Sequence, residues 1–219
     1  MTIRIKILIA VLAIIFLYFN YHNLIGTYPI KEVKLKGEFI YVDEDKLYQK
    51  LNLFIGKDLM HVDLIDIKKN IEKNDWIKSS LIERQFPDTL AIELFEYKPF
   101  LLWNEESFID DEGKKFVVEK TISIDLPSIK SNTISYEKMY SLYIELSNLL
   151  NKIDLKISAI AHAGDMLKIR TNKYKFLVRY SDSSQKFDEF INVYEQFRDT
   201  SKKNIKTIDL RYSTGFAVH

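Results

Sequence analysis

Chemistry at a protein site needs titratable or nucleophilic groups that converge, and this chain supplies few of them. Its four histidines, His22, His61, His162 and His219, are scattered, and it contains no cysteine. A zinc site takes three or four such ligands at short characteristic spacings, and no pattern of that kind is present. Asp110, Asp111 and Glu112 come nearest to a catalytic carboxylate set. Consecutive acids beside Gly113 point to different sides of a turn, so they are expected as solvated turn residues rather than as an acid and base. Ser183-Ser184 lacks the glycines of a nucleophile elbow and is expected to begin a helix. No glycine-rich loop with the phosphate-binding pattern precedes a helix. The residue types thus give no support to a metal, a cofactor, a small-molecule substrate or a catalytic apparatus.

What the residues do offer is a surface for recognition. Ile208–Tyr212 and Phe216–Val218 read as two short strands around a Ser213-Thr214-Gly215 turn at the end of the chain. A terminal strand of this kind can form a sheet edge, whose unpaired N–H and C=O groups accept a further strand from a partner. A Tyr and an Arg alternating on such a strand are ordinary surface and core positions; on an open edge Arg211 would also offer a fork for a partner carboxylate and Tyr212 an aromatic anchor. Gly215 lets a partner backbone approach or turns the hairpin. Phe190, Tyr194 and Phe197 recur at helical spacing upstream and are expected in the core.

The elements that position this surface begin with an anchor. Ile7–Phe19 is an uninterrupted apolar run of thirteen residues behind Arg4 and Lys6, extended by Ile3 and Ile5 on one side and by Tyr21, Leu24 and Ile25 on the other. With these extensions it approaches the ~20 residues that cross a bilayer. A signal peptide has an apolar region of similar length but ends at a small-residue cleavage site, and none follows Phe19. The expectation is an uncleaved transmembrane helix over 7–25. Residues 1–6 hold two cations and no acid, which places them in the cytoplasm and the remaining chain across the membrane. Arg4 and Lys6 account for two of the 32 cations, leaving 30 against 31 acids. A near-neutral exported part argues against steering toward nucleic acid.

Downstream, Lys31–Lys36 alternates as a half-buried strand ended by Gly37. Asp43 can cap a helix bearing Leu47 and Leu51, and Asp63 a second bearing Leu64, Ile67 and Ile71. Ile77–Gln85, a Phe86-Pro87-Asp88 turn and the alternating Leu90, Ile92 and Leu94 complete a β-α-α-β-β order. Pro99 is expected to end the last strand and mark a boundary, and Arg84 to pair with Glu96 across neighbouring strands. Beyond it, Phe100–Trp103, Phe108–Asp110 and Phe116–Val118 read as short strands. Two amphipathic helices follow, one bearing Met139, Leu142, Tyr143, Leu146, Leu149 and Leu150. The other bears Phe187, Phe190, Ile191, Tyr194 and Phe197, and is started by Asp182 with Gln185 in a capping box. Met166–Arg170 and Lys175–Arg179 read as a hairpin around Asn172-Lys173. The fold class is therefore α+β: an N-terminal transmembrane helix, a β-α-α-β-β unit and a strand-rich unit with two main helices.

These residues, in order, resemble a family. An N-terminal anchor, a unit opening with Val33-Lys34-Leu35-Lys36-Gly37, then Trp76-Ile77, Arg84-Gln85-Phe86-Pro87, Glu96-Tyr97-Lys98-Pro99, Trp103, Asp111-Glu112-Gly113 and Ile208-Asp209-Leu210-Arg211-Tyr212 resemble the FtsQ/DivIB bacterial cell-division proteins. The absence of a long tail after the last strand is more similar to the Gram-negative FtsQ type. The cytoplasmic tail of about six residues and the lack of an aromatic after the last strand depart from the family pattern. The resemblance implies a POTRA domain at 28–97 and the family's β domain at 98–219, both periplasmic. It implies a divisome scaffold, not an enzyme, in the inner membrane, enriched at the septum, that binds FtsB and FtsL by strand addition and through them FtsW and FtsI. The positions that match the partner-binding motif are Arg211, Tyr212, Thr214 and Gly215. A second expectation is a POTRA-bearing envelope protein handling unfolded outer-membrane polypeptides, which predicts a following β-barrel or repeated POTRA units.

Overall fold

Alternation of buried and exposed side chains sets the first sheet. In the computed structural model, which describes residues 9–18, 27–119, 124–200 and 205–219, β1 (Glu32–Lys36) lies parallel to β3 (Thr89–Glu96), and β2 (Ile77–Gln85) lies antiparallel to β3. The sheet order is β1-β3-β2, and Leu90, Ile92 and Leu94 of the central strand are all buried. Helices α1 (Glu44–Leu51) and α2 (Leu64–Ile71) begin where the sequence predicts. The Asp43 carboxylate accepts from the Lys46 N–H, and that of Asp63 from the N–H groups of Ile65 and Asp66, so orphan donors of each first turn are satisfied. Leu47, Leu51, Ile67 and Ile71 face inward. Gly37, at φ +150°, closes β1 where a Cβ would meet the Leu94 carbonyl oxygen at 2.8 Å.

Arg84 and Glu96 do not pair. The β2–β3 register sets Arg84 opposite Leu90 and Glu96 opposite Ile77, so the two side chains stand at opposite ends of the hairpin. Each instead satisfies the backbone of a loop that feeds a helix. Arg84 donates from Nε to the Leu59 carbonyl at 2.6 Å and from Nη2 to that of Val62 at 2.7 Å, just before α2. The Glu96 carboxylate accepts the N–H groups of Ile40, Tyr41 and Val42 at 2.9–3.1 Å, just before α1. Backbone groups in a half-buried loop need partners, and a delocalised charge can serve several at once.

The second sheet has nine strands in the order β12-β11-β10-β9-β8-β7-β4-β5-β6. These are β4 (Pro99–Trp103), β5 (Ser107–Asp110), β6 (Lys115–Phe116), β7 (Ser128–Lys130), β8 (Ile157–Ala163), β9 (Met166–Thr171), β10 (Lys175–Arg179), β11 (Thr207–Asp209) and β12 (Ala217–Val218). Helices α3 (Tyr136–Asn151) and α4 (Ser183–Thr200) cover one face, where Met139, Leu146, Phe187 and Phe190 share a core with Ile160, Ile169, Phe176 and Ile208. The alternate strand residues, including Ala161, Lys168, Arg170 and Arg179, are exposed on the other face.

Several expectations are corrected here. Pro99 opens β4 rather than ending β3, because β3 stops at Glu96. Asp110 is fully buried and accepts the N–H groups of Glu112 and Lys114 at 3.0 and 2.7 Å, so it ties the turn from beneath, while Asp111 and Glu112 are solvated. The capping box of α4 does not form. Asp182 lies in a 3-10 turn with its Oδ1 buried and unpartnered, and Gln185 donates to Glu189 instead. Two strands escaped prediction: β7, whose three residues carry one apolar side chain, and β8, where alanines and a bulge between Ile157 and Ala159 blur the alternation.

The expected transmembrane helix over 7–25 extends at both ends outside the described residues, as does the whole of the tail 1–6. Residues 9–18 are helical with exposed apolar side chains, and no helix among the described residues is long and apolar enough to cross a membrane. The chain divides into two compact units, Met1–Glu96 and Tyr97–His219.

Because Arg84 and Glu96 serve separate loops, Arg84→Ala and Glu96→Ala are each expected to destabilise the first unit by about 1–3 kcal/mol. Their effects should add within about 0.5 kcal/mol in a double-mutant cycle measured by urea denaturation. A larger coupling would restore the direct pair.

Candidate functional site

The last fifteen residues build the site from one local interaction. After β11 the chain is set to continue as a strand, and the Leu210 N–H does donate to the Leu177 carbonyl of β10 at 2.8 Å. Asp209 then stops it. Its carboxylate accepts the Arg211 N–H at 3.1 Å and the Arg211 Nε at 2.8 Å, and also bonds Nη2. An Asp side chain that captures the backbone two residues on imposes a turn on the chain. Tyr212–Gly215 consequently bends away instead of extending the strand, and the expected strand Ile208–Tyr212 shrinks to Thr207–Asp209.

Gly215 brings the chain back. Its φ of +69° lies in the left-handed region, and no atom stands within 4 Å of where its Cβ would be, so backbone conformation rather than crowding selects glycine here. Phe216 drops onto α4, with its ring 5.3 Å from that of Phe190 and 5.6 Å from that of Phe197, both near perpendicular. Lys186 of α4, itself buried, donates to the Ser213 carbonyl at 3.1 Å and to Glu189 at 2.8 Å, holding the loop from below. A crevice of about 250 Å³ lies between helix and loop, bounded by Phe190, Val193, Leu210 and Phe216.

The chain then runs antiparallel to β11 as β12, the terminal strand of the sheet. Thr207 and His219 exchange both backbone hydrogen bonds, at 2.9 and 3.0 Å. Val218, opposite Ile208, is therefore in a non-hydrogen-bonded pair, and its N–H and C=O point outward along the open edge. The outward groups belong to β12, not to β11, which is paired on both sides.

The four residues singled out from sequence, Arg211, Tyr212, Thr214 and Gly215, all fall on this one loop. Tyr212 is 52% exposed and remains available as an anchor. Arg211 is not disposed as expected, because the fork expected for a partner carboxylate already holds Asp209. Phe190 and Tyr194 are buried, as their spacing predicts. Sequence reasoning missed Asp209 and Lys186 as parts of the site, and it read Phe216–Val218 as a candidate edge strand without singling out the docking of Phe216 or the outward backbone of Val218. The Asp-x-Arg spacing was the available signal for the first. Among the described residues, no group of three acids or histidines is placed to hold a metal ion.

Comparison with known proteins places this architecture. Residues 28–97 match the FtsQ-type POTRA domain model, and residues 101–211 match the model of the FtsQ/DivIB cell division protein C-terminal region. A POTRA unit followed by a long strand-rich unit ending on a sheet edge defines a POTRA-bearing cell-division protein. The chain belongs to the FtsQ/DivIB family. It is 30% identical over 200 residues to the cell division protein FtsQ of Escherichia coli, covering 87% of this chain and 72% of that one. It is 26% identical over 231 residues to that of Haemophilus influenzae, covering 97% and 87%, and 25% identical to that of Neisseria meningitidis, covering 87% and 81%.

The hydrogen bonds from Arg211 hold the Asp209 carboxyl below the usual carboxylate value, and they raise the Arg211 guanidinium in turn. A carboxyl lowered on folding stabilises the native state above its unfolded value of about 3.9, and this contribution is lost as pH falls through the lowered native value. Asp209→Asn should therefore lower the urea midpoint at pH 7 and flatten its dependence on pH below about 4. An unchanged profile would remove the Asp209–Arg211 turn as the organiser of the loop.

Proposed function

We propose that this protein is a divisome scaffold rather than an enzyme, and that it works by adding a partner strand to β12. In this reading the helix over 7–25 anchors it in the inner membrane, with residues 1–6 cytoplasmic. The POTRA domain over 28–97 and the β domain over 98–219 stand in the periplasm at the septum. FtsB, with FtsL, supplies the added strand, and through them the scaffold connects to the septal peptidoglycan synthases FtsW and FtsI.

The observation that carries this reading is the terminal position of β12, with the outward N–H and C=O of Val218. Backbone bonding to an open edge supplies affinity, and side chains at alternate positions supply choice. Around the edge stand Tyr212, an exposed aromatic, and the crevice beside Phe216, which suits one apolar partner side chain. Thr214 and Gly215 lie on the same exposed turn and border the approach to the edge. Arg211 contributes by holding the loop through Asp209, which engages its Nε and Nη2 and so takes up the fork. The family membership supports a role in division, since the relatives share that designation.

Val218→Pro removes an outward donor while leaving the β11 pairing intact, a position that edge strands tolerate. Calorimetry of fragment 28–219 with a peptide from the periplasmic end of FtsB should show saturable binding, weakened about tenfold or more by Val218→Pro. Tyr212→Ala should weaken it as well. Binding that ignores both substitutions would move the function away from this edge.

A further inference from the structure

The face of the nine-stranded sheet that the helices leave open is strongly basic across its middle. Lys168 and Arg170 of β9 and Lys175 and Arg179 of β10 are all exposed, alternating with Leu167, Ile169, Phe176 and Val178, which are buried under the helices. None of the four cations has an ion pair or a side-chain hydrogen bond among the described residues. The other positions on this face of β8, β9 and β10 are Ala159, Ala161, Ala163, Met166 and Leu177, with no acid. Among the acids at its margins, Asp209 and Glu105 are engaged by the cations Arg211 and Lys130, and Asp165, just before β9, accepts the Ser181 N–H and hydroxyl. A chain of formal net charge +1 has thus gathered an uncompensated positive field on one surface.

The register makes this arrangement costly to the fold. Arg170 stands directly opposite Lys175. Thr171 takes the Tyr174 carbonyl at 2.8 Å, and the Lys175 N–H turns the other way to the Lys206 carbonyl at 2.8 Å. Arg170 and Lys175 are therefore a non-hydrogen-bonded pair, the closer of the two antiparallel pairings, with Cα atoms about 4.5 Å apart. Like charges in that position are destabilising.

We propose that this face binds an acidic, extended polypeptide segment, laid along β9 and β10 beside the low floor of the β8 alanines. Lys168 and Arg170, two residues apart on one strand, repeat every ~6.8 Å, the spacing of same-side residues in an extended chain. Acids at alternate positions of the segment meet them in register. Nucleic acid fits less well because the part of the face formed by β8, β9 and β10 presents no aromatic ring for base stacking. A lipid surface fits less well because no aromatic or long apolar side chain projects there for insertion beyond the half-buried Met166 and Leu177. The inference stands apart from strand addition at β12, since it uses different residues and a different side of the sheet.

The test uses the full chain in phosphatidylcholine nanodiscs and a fluorescent peptide of alternating Glu and Thr, about ten residues long. Saturable binding at low salt is expected, weakened about tenfold by Lys168→Gln with Arg170→Gln and untouched by Tyr212→Ala. A peptide of the same composition with its Glu residues in one block should bind more weakly. Lys175→Glu supplies a second readout, because it replaces a like-charge pair with an opposite-charge pair: the melting temperature should rise while peptide binding falls. No binding, equal binding of the two peptides, or insensitivity to the face variants would overturn the proposal. So would displacement of the peptide by phosphatidylglycerol vesicles or by an oligonucleotide of equal charge at lower concentration than by unlabelled peptide.

Discussion

The carboxylate of Asp209 decides how this chain ends. A buried acid has to be paired, and Arg211 provides both a backbone N–H and a guanidinium within the reach of one turn. Meeting that need pulls the backbone out of the ladder after three strand residues. The loop from Tyr212 to Gly215, the docking of Phe216 on α4 and the return of β12 as the terminal strand all follow from the departure. Were the chain to continue straight, β11 would be a longer edge and Tyr212 would alternate into it. The turn instead separates an exposed aromatic from a short open edge and leaves a crevice between them.

The same physical device recurs in both units. Arg84 and Glu96 spend their charge on backbone carbonyls and amides of the segments that lead into the two helices. Asp43 and Asp63 do likewise at the first turns, and Asp110 does so beneath the turn between β5 and β6. Charged side chains here organise loops as well as pairing with one another. Surface ion pairs contribute little, whereas an unsatisfied half-buried backbone group is expensive, so selection for stability favours this use.

Against that background the open face of the large sheet is an exception. Its cations organise no loop and meet no acid, and two of them oppose each other in the closer pairing. Together with the short edge at β12 it gives the large unit surfaces that, among the described residues, its own chain does not complete. One lacks backbone partners and the other lacks counter-charge. Both are chemically suited to an extended polypeptide, the first through hydrogen bonds and the second through alternate acids.

Much of this was legible in the residues. The order β-α-α-β-β, the aspartate caps of α1 and α2, the helical stripes and the hairpin around Asn172-Lys173 rest on local periodicity and turn chemistry, which neighbouring residues determine among themselves. The choice of Arg211, Tyr212, Thr214 and Gly215 on one terminal segment rests instead on the family resemblance carried by short motifs in order. Local pattern does not determine which strand lies beside which. Strands β7 and β8 carry too few or too small apolar residues to announce themselves, and they exist because β4 and β9 offer them ladders on either side. Only the register separated Arg84 from Glu96, set Arg170 against Lys175 and turned the N–H of Val218 outward. The sequence by itself determined the elements and their caps, because those depend on contacts a few residues apart. Tertiary structure alone decided the partners of the charged groups and the identity of the open edge, because these depend on pairings between segments far apart in the chain.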